Sequence, residues 1–219
     1  MTDTDPIFSA LAAAPVVPLV DSGDASEAVA TARALVEGGL AVHEVVLRRD
    51  GALGAMRAMA ERRAEIGEGL VVGAGTVLTL DQAKAARDAG AQFIVSPGLV
   101  DEIALWCIEQ DLPVFPGTAT AGEVQRAFAL GLRAVKFFPA ALAGGVPMLK
   151  ALSSVFGAMR FMPTGGISAA NLPEYLALPS VIACGGSWLT PTDRIAAGDY
   201  EAVTRLAREA VAIARKARG

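Results

Sequence analysis

The six residues Ala134-Val135-Lys136-Phe137-Phe138-Pro139 form an apolar stretch that holds a single lysine, and stretches of this kind recur along the chain. Runs rich in valine, isoleucine and phenylalanine return every 20 to 28 residues, and an alanine-rich stretch with helical spacing follows each one. Strands that are apolar almost throughout are typical of a parallel sheet that is covered on both faces. We predict eight strands, at residues 16–20, 42–47, 70–76, 93–97, 113–117, 134–139, 159–164 and 181–186.

Eight units of a strand followed by a helix close most simply into a (β/α)8 barrel, which is an α/β fold. A doubly wound open sheet is the alternative, but no GxGxxG follows the first strand and no acidic ribose partner supports it. Predicted helices include residues 25–37, 81–89, 123–130 and 200–216, with Gly39, Gly90 and Gly131 at the positions of left-handed caps. The helix-prone segment 6–14 is expected to cover the bottom of the barrel. We therefore expect residues 1–219 to form a single-domain TIM barrel with an N-terminal helix.

Composition narrows the class of protein. The 219 residues are 53% apolar, yet no apolar run reaches the roughly 18 residues that span a bilayer, and the first five residues lack the basic segment of a secretory leader. Cys107 and Cys184 have no metal-site spacing and are expected to be buried thiols in a reducing compartment. The net charge is −4 and the arginines are scattered, which disfavours nucleic acid as a partner. We expect a cytoplasmic enzyme that binds neither membranes nor nucleic acids.

Lys136 is one of only four lysines, against fifteen arginines, and it lies in a strand that should be buried. One interpretation is structural: the ammonium pairs with a carboxylate or extends its head to the end of the strand. The other is catalytic, because an apolar environment lowers the pKa of a lysine and yields a free amine that can attack a carbonyl.

The carboxyl ends of the strands carry the chemistry of a barrel, so the residues found there are candidates for a site. They are Glu44, Arg48, Thr76, Ser96, Pro97, Thr118, Lys136, Thr164 and Ser187. The two-residue period of a strand places Glu44 and Arg48 on one face, which we expect to point inward, although an outward salt bridge to a helix is the alternative. His43 and Arg49 have the opposite parity and are expected to face the helices.

Paired glycines mark the ends of the last two predicted strands, at Gly165-Gly166 and at Gly185-Gly186, which Ser187 follows. Glycine lets backbone N–H groups approach an anion closely, and the loops after strands seven and eight hold a phosphate in many barrels. A tight turn is the alternative explanation for each pair taken alone. Two pairs in adjacent positions indicate a phosphate site.

Seven segments carry a family resemblance: PVVP (15–18), EVVLR (44–48), GAGTVL (73–78), FIVSPGL (93–99), VKFFPA (135–140), PTGGIS (163–168) and GGSW (185–188). In this order they resemble the 2-keto-3-deoxy-6-phosphogluconate (KDPG) aldolase family, whose members are also called 4-hydroxy-2-oxoglutarate (KHG) aldolases. The resemblance runs from about residue 10 to the end of the chain. It implies a Schiff-base (class I) aldolase on a (β/α)8 barrel, usually a homotrimer.

The resemblance also implies roles for individual residues. Lys136 would form the Schiff base, Glu44 would shuttle protons, and Arg48 and Thr76 would bind the pyruvate carboxylate. The other substrate-binding positions are Pro97, Phe138 and Thr164, and the phosphate-binding positions are Gly165, Gly166, Gly185, Gly186 and Ser187. We expect no cofactor and no metal. Two departures are visible: Val46 stands where relatives often have threonine, and GTAT (117–120) stands where many have GIST.

The expected reaction cleaves KDPG to pyruvate and glyceraldehyde 3-phosphate, and KHG to pyruvate and glyoxylate. His43 is the only histidine, which rules out a multi-histidine metal site in one subunit. A serine triad would have to use the same histidine, which we expect to face the helices and not the site. The remaining alternatives are a phosphogalactonate aldolase, a thiamine-phosphate-synthase-like enzyme, a sugar-phosphate epimerase, and a phosphometabolite-binding barrel without catalysis.

Overall fold

The structure, a computed structural model, describes residues 6–219 and contains eight parallel strands. They are β1 (Val16–Val20), β2 (Val42–Val46), β3 (Val71–Gly75), β4 (Ile94–Ser96), β5 (Val114–Thr118), β6 (Ala134–Phe137), β7 (Arg160–Pro163) and β8 (Cys184–Gly186). Their order is β7-β6-β5-β4-β3-β2-β1-β8, and parallel bridges from Phe161 to Val181 and from Thr164 to Gly185 join the two ends. The predicted (β/α)8 barrel is therefore confirmed.

Helices alternate with the strands and form the outer layer. They are α1 (Pro6–Ala13), α2 (Ala25–Glu37), α3 (Ala52–Glu61), α4 (Arg63–Ile66), α5 (Leu80–Asp88), α6 (Asp101–Glu109), α7 (Ala121–Ala129), α8 (Gly145–Val155), α9 (Leu172–Leu176), α10 (Thr192–Ala196) and α11 (Tyr200–Arg218), with a 3-10 turn at Ser187–Leu189. Gly39, Gly90 and Gly131 have φ angles of 95°, 97° and 91°, as predicted for glycines that end helices. Within residues 6–219, no helix is both long and apolar enough to cross a membrane.

Most predicted strands were one or two residues too long at their ends, and the last one begins three residues later than expected. Residues 16–20 were predicted without error, whereas residues 181–186 form a strand only from Cys184 onward. Val181 makes an isolated bridge instead, because the backbone between it and Cys184 does not pair continuously with β7. The apolar pattern alone cannot distinguish a paired residue from a buried residue next to a strand.

The lower half of the barrel interior is packed with apolar side chains. Ile7 and Leu11 of α1 belong to the same buried cluster as Val17, Phe93 and Phe115. The Phe93 and Phe115 rings meet edge to face with centroids 6.1 Å apart. The expectation that the N-terminal helix covers the bottom is confirmed, since its side chains pack against the lower interior.

His43 is fully buried on the face of β2 opposite Glu44. Its Nε2–H donates to the Leu40 carbonyl oxygen at 2.9 Å, since a carbonyl can only accept, and its Nδ1 has no hydrogen-bond partner among the described residues. Burial lowers the pKa of His43 to about 4, because a proton on Nδ1 would be a desolvated and unpaired charge. Arg49 does not follow the parity prediction: it lies beyond the end of β2, where its Nε donates to Asp21 at 2.8 Å.

We predict that His43 makes the protein acid-sensitive. The unfolded chain binds the His43 proton below about pH 6.5, whereas the folded chain resists it down to about pH 4. The neutral histidine therefore supports full stability above pH 6.5, and about 3 kcal/mol of that stability is lost as the pH falls to 4. In urea titrations, the difference in unfolding free energy between wild type and His43→Gln should shrink by a similar amount from pH 7 to pH 4. A difference that stays constant over this range would contradict the assignment.

Candidate active site

A cavity of about 270 Å3 opens at the carboxyl ends of the strands. Its lining residues are Leu19, Arg48, Thr76, Pro97, Lys136, Phe138, Thr164, Gly165, Gly166, Ile167, Gly185 and Ser187. Every substrate-binding and phosphate-binding position that the family resemblance implies lines this cavity except Gly186, and so does Lys136, whereas Glu44 lies beneath it. A larger and more open groove of about 570 Å3 lies between α2 and α11, but no strand contributes to it. The cavity at the strand ends is the one that contains the predicted site residues and lies where barrels carry their active sites.

Lys136 and Glu44 meet inside the barrel. The Lys136 Nζ donates to Glu44 Oε1 at 3.1 Å, with Lys136 only 5% exposed and Glu44 fully buried. The second carboxylate oxygen, Oε2, has no hydrogen-bond partner among the described residues. The structural interpretation of Lys136 predicted its carboxylate partner, and the amine also lines the cavity, where the catalytic interpretation requires it. A nucleophile within hydrogen-bond reach of a base is the arrangement that covalent catalysis requires.

The backbone around Lys136 is held by β5. Lys136 pairs with Gly117, and the Thr118 hydroxyl donates to the Lys136 carbonyl oxygen at 3.2 Å. Thr118 is therefore turned toward the backbone of β6 and does not line the cavity. The Phe138 ring, which follows the strand, has its centroid 5.5 Å from the Lys136 Nζ. A cation at this distance from an aromatic face is attracted to it, so the ring favours a positive charge on the lysine nitrogen.

Arg48 and Thr76 form the cationic side of the cavity. Arg48 lies in the turn after β2, and its Nε donates to the Thr76 hydroxyl at 3.3 Å. Thr76 has a φ of 58°, a left-handed conformation that costs a residue other than glycine about 1 to 3 kcal/mol. In this conformation the hydroxyl lies within hydrogen-bond distance of the arginine. A guanidinium and a hydroxyl on one wall can together bind a carboxylate.

The two glycine pairs differ in structure. Gly165 and Gly166 follow β7 with φ angles of 94° and 78°, as expected for a loop that only glycine adopts readily. Gly185 and Gly186 lie inside β8, within the predicted strand 181–186, and pair with Val17 and Pro18, so this pair does not form a loop like that of Gly165 and Gly166. The apolar residues 181–183 continue the sequence pattern of the strand, but the residues that pair with β1 are Cys184, Gly185 and Gly186.

Gly186 also does not line the cavity. A Cβ built on it would lie 1.7 Å from Cζ3 of Trp188, so this glycine makes room for the indole ring. Ser187 does line the cavity and is exposed at the start of the 3-10 turn. Gly165, Gly166 and Ser187 thus form an uncharged side of the cavity, in contrast to the side that carries Arg48.

Sequence reasoning missed Leu19 and Ile167, two apolar lining residues. Neither carries a polar group, and neither stands out among the many leucines and isoleucines of the chain. Leu19 is the register partner of Glu44 and so shares its inward face, but that pairing is visible only in the structure. Ser96, by contrast, was a candidate that does not line the cavity: its hydroxyl donates to the Gly98 carbonyl oxygen at 2.7 Å.

Comparison with known proteins gives a family model, KDPG and KHG aldolase, that matches residues 7–206. The KHG/KDPG aldolase of Escherichia coli K12 is 47% identical over 203 residues, which are 93% of each chain. A KDPG aldolase from Legionella pneumophila, solved with pyruvate captured as a covalent carbinolamine intermediate, superimposes with a TM-score of 0.89 at 38% identity, covering 96% of this chain and all of that one. The Zymomonas mobilis enzyme, solved with 3-phosphoglycerate, has a TM-score of 0.86 at 42% identity and 97% coverage of both chains.

Proposed function

This chain belongs to the KDPG and KHG aldolase family, and we propose that Lys136 and Glu44 carry out its Schiff-base chemistry. The protein is a lyase, a class I aldolase that cleaves KDPG to pyruvate and glyceraldehyde 3-phosphate, and KHG to pyruvate and glyoxylate. One observation carries the assignment of residues: a buried amine at the floor of the cavity lies 3.1 Å from a fully buried carboxylate. Residues 1–219 act as one catalytic domain.

Lys136 supplies the electron sink that the reaction needs. Cleavage of the C3–C4 bond leaves an electron pair on C3, which is too unstable without a neighbouring acceptor. The Lys136 amine adds to the C2 carbonyl to give a carbinolamine, and loss of water then gives a protonated imine. This iminium accepts the electron pair as an enamine, and the Phe138 ring at 5.5 Å favours its positive charge.

Glu44 moves the protons, directly or through one water. It first takes the ammonium proton of Lys136, which frees the amine, and gives that proton to the carbinolamine hydroxyl so that water can leave. It then takes the proton from the C4 hydroxyl as the C3–C4 bond breaks. It then returns a proton to C3 of the enamine, which becomes the pyruvate methyl group. One carboxylate can serve these steps in turn, because each step leaves it in the protonation state that the next step requires.

Arg48 and Thr76 orient the keto acid. The carboxylate of the substrate is bonded directly to C2, so it must lie next to the atom that Lys136 attacks. Arg48 and Thr76 stand on the wall of the same cavity and supply a cation and a hydroxyl for it. A charge-assisted hydrogen bond of this kind contributes roughly 1.5 to 3 kcal/mol. Pro97 and Phe138 shape the cavity around the reacting carbons.

The distal phosphate of KDPG would bind at the glycine side of the cavity. Gly165 and Gly166 present backbone groups in a left-handed loop, and Thr164, Gly185 and Ser187 complete the lining. Backbone N–H groups in such a loop form a concave site for an anion. Since no cation lines this side, the phosphate adds affinity without being essential, which is consistent with turnover of the unphosphorylated KHG.

We also propose that the protein works in the cytoplasm as a homotrimer and binds no nucleic acid or membrane. Cys107 and Cys184 are both free and buried, as expected in a reducing compartment. Several large apolar side chains are exposed on α6, α7 and the loops before α5 and α6: Leu78, Val100, Leu105, Ile108 and Phe128. Light scattering on the purified protein should give three times the mass of the chain, and a monomer mass would refute the trimer.

We predict that borohydride with pyruvate modifies Lys136. Reduction of the imine should add one reduced pyruvate irreversibly to this residue, as read by peptide mass mapping. Lys136→Arg keeps a cation opposite Glu44 but cannot form the imine, so it should retain its circular dichroism spectrum and lose both labelling and turnover. Labelling of Lys84, Lys150 or Lys216 instead, or of no lysine, would rule out the Schiff base at Lys136.

We predict that Ser187→Asp separates the phosphorylated from the unphosphorylated substrate. A carboxylate at this exposed position should repel the phosphate and raise KM for KDPG by about tenfold or more, with much less effect on cleavage of KHG. Ser187→Asn is the matched neutral control of similar size and should raise KM far less. An equal loss for both substrates would show that Ser187 does not face the phosphate.

A further inference from the structure

Gly75, the last residue of β3, stands directly against the side chain of Glu44. A Cβ built on Gly75 would lie 2.2 Å from Glu44 Oε1, 2.5 Å from Cγ and 2.7 Å from Cδ. Atoms that are not bonded to each other do not approach so closely in proteins. The Glu44 carboxylate therefore occupies space that any other residue at position 75 would fill.

The backbone conformation does not explain this glycine. Gly75 lies inside a regular parallel pairing, opposite Val46, and it is not among the glycines with positive φ. A glycine in the interior of a strand weakens the strand, and where it occurs it often marks a close approach of other groups. The requirement at position 75 is consequently one of space and not of conformation.

Two other strand glycines at the mouth of the barrel show the same relation. A Cβ on Gly117 would lie 2.0 Å from the Pro97 carbonyl oxygen, and a Cβ on Gly185 would lie 2.4 Å from the Thr164 hydroxyl oxygen. Pro97 and Thr164 both line the cavity. At the carboxyl ends of the strands, residues of the site thus occupy the space that a side chain on a neighbouring strand would fill.

We propose that Gly75 is a positioning residue for the proton-transfer step, because the missing side chain gives the Glu44 carboxylate the place in which it meets Lys136. This inference rests on the proposed function of Glu44. With alanine at position 75, the carboxylate would have to move by about 1 Å or more, and a displacement of that size at a reacting group can cost about 10²-fold in rate.

The test is a double-mutant cycle between Gly75→Ala and Glu44→Ala. Removing the Glu44 side chain leaves the new methyl group nothing to displace. The readouts are exchange of the pyruvate methyl protons with deuterated solvent, followed by proton NMR, and the midpoint of thermal unfolding. Gly75→Ala should slow the exchange by about 10²-fold in the wild-type background. In the Glu44→Ala background it should cause no further loss of exchange and a smaller drop in the unfolding midpoint.

Gly73→Ala is the matched control, since Gly73 lies on the same face of β3 but its Cβ would meet the Phe93 ring at 2.3 Å. Its effects should be the same in both Glu44 backgrounds. If Gly75→Ala folds only when Glu44 is also alanine, the competition for space is supported directly. Equal losses from Gly75→Ala in both backgrounds, or failure to fold in both, would overturn the proposal.

The cycle also separates this inference from the proposed function. Should Glu44→Ala alone exchange pyruvate protons at the wild-type rate, Glu44 is not the proton shuttle and the positioning role of Gly75 falls with it. The unfolding midpoints would then still show whether the two residues compete for space. If Glu44→Ala abolishes exchange but Gly75→Ala leaves it unchanged, the function of Glu44 stands and the inference about Gly75 is wrong.

Discussion

The buried ion pair between Lys136 and Glu44 is the interaction on which the rest of the structure depends. Removing two charges from water costs several kcal/mol per ion, and only a close, well-oriented partner offsets that cost. The two residues are 92 positions apart in the sequence and lie on β6 and β2. Three strands separate β6 from β2 in either direction around the barrel, so the two strands face each other and the pair forms only when the barrel is closed.

The residues of the site destabilise the upper half of the barrel, and the apolar packing of the lower half stabilises the fold. The mouth holds two buried charges, a left-handed threonine at position 76 and glycines within strands, each of which destabilises the fold. Below it, Phe93 and Phe115 fill the interior and α1 closes the end. Fully burying one such side chain contributes about 1.5 to 3 kcal/mol, so a few of them offset the cost at the mouth. The functional residues and the stabilising core thus lie at opposite ends of the barrel.

Much of this arrangement could be predicted from the sequence, and the errors have identifiable causes. Continuous apolar runs located all eight strands, and a lysine in one of them identified Lys136, because burial of an ammonium is costly without a purpose. Local periodicity also placed Glu44 on the inward face. It could not reveal that Gly186 makes room for Trp188 or that Gly75 makes room for Glu44, because both depend on side-chain contacts that periodicity does not encode. Leu19 was missed because an apolar lining residue looks like any core residue.

The charge distribution along the cavity explains how one site can serve two substrates in the proposed reaction. The cation of Arg48 stands on one side, the amine of Lys136 lies at the floor, and uncharged glycines and Ser187 form the other side. The group common to both substrates is the keto acid, which must reach the arginine when C2 is at Lys136. The phosphate of KDPG then lies beside the uncharged residues, and the shorter KHG ends before it reaches them. A second cation there would bind the phosphate more tightly, but it would also be left unpaired, and therefore costly to desolvate, whenever the shorter substrate occupied the cavity.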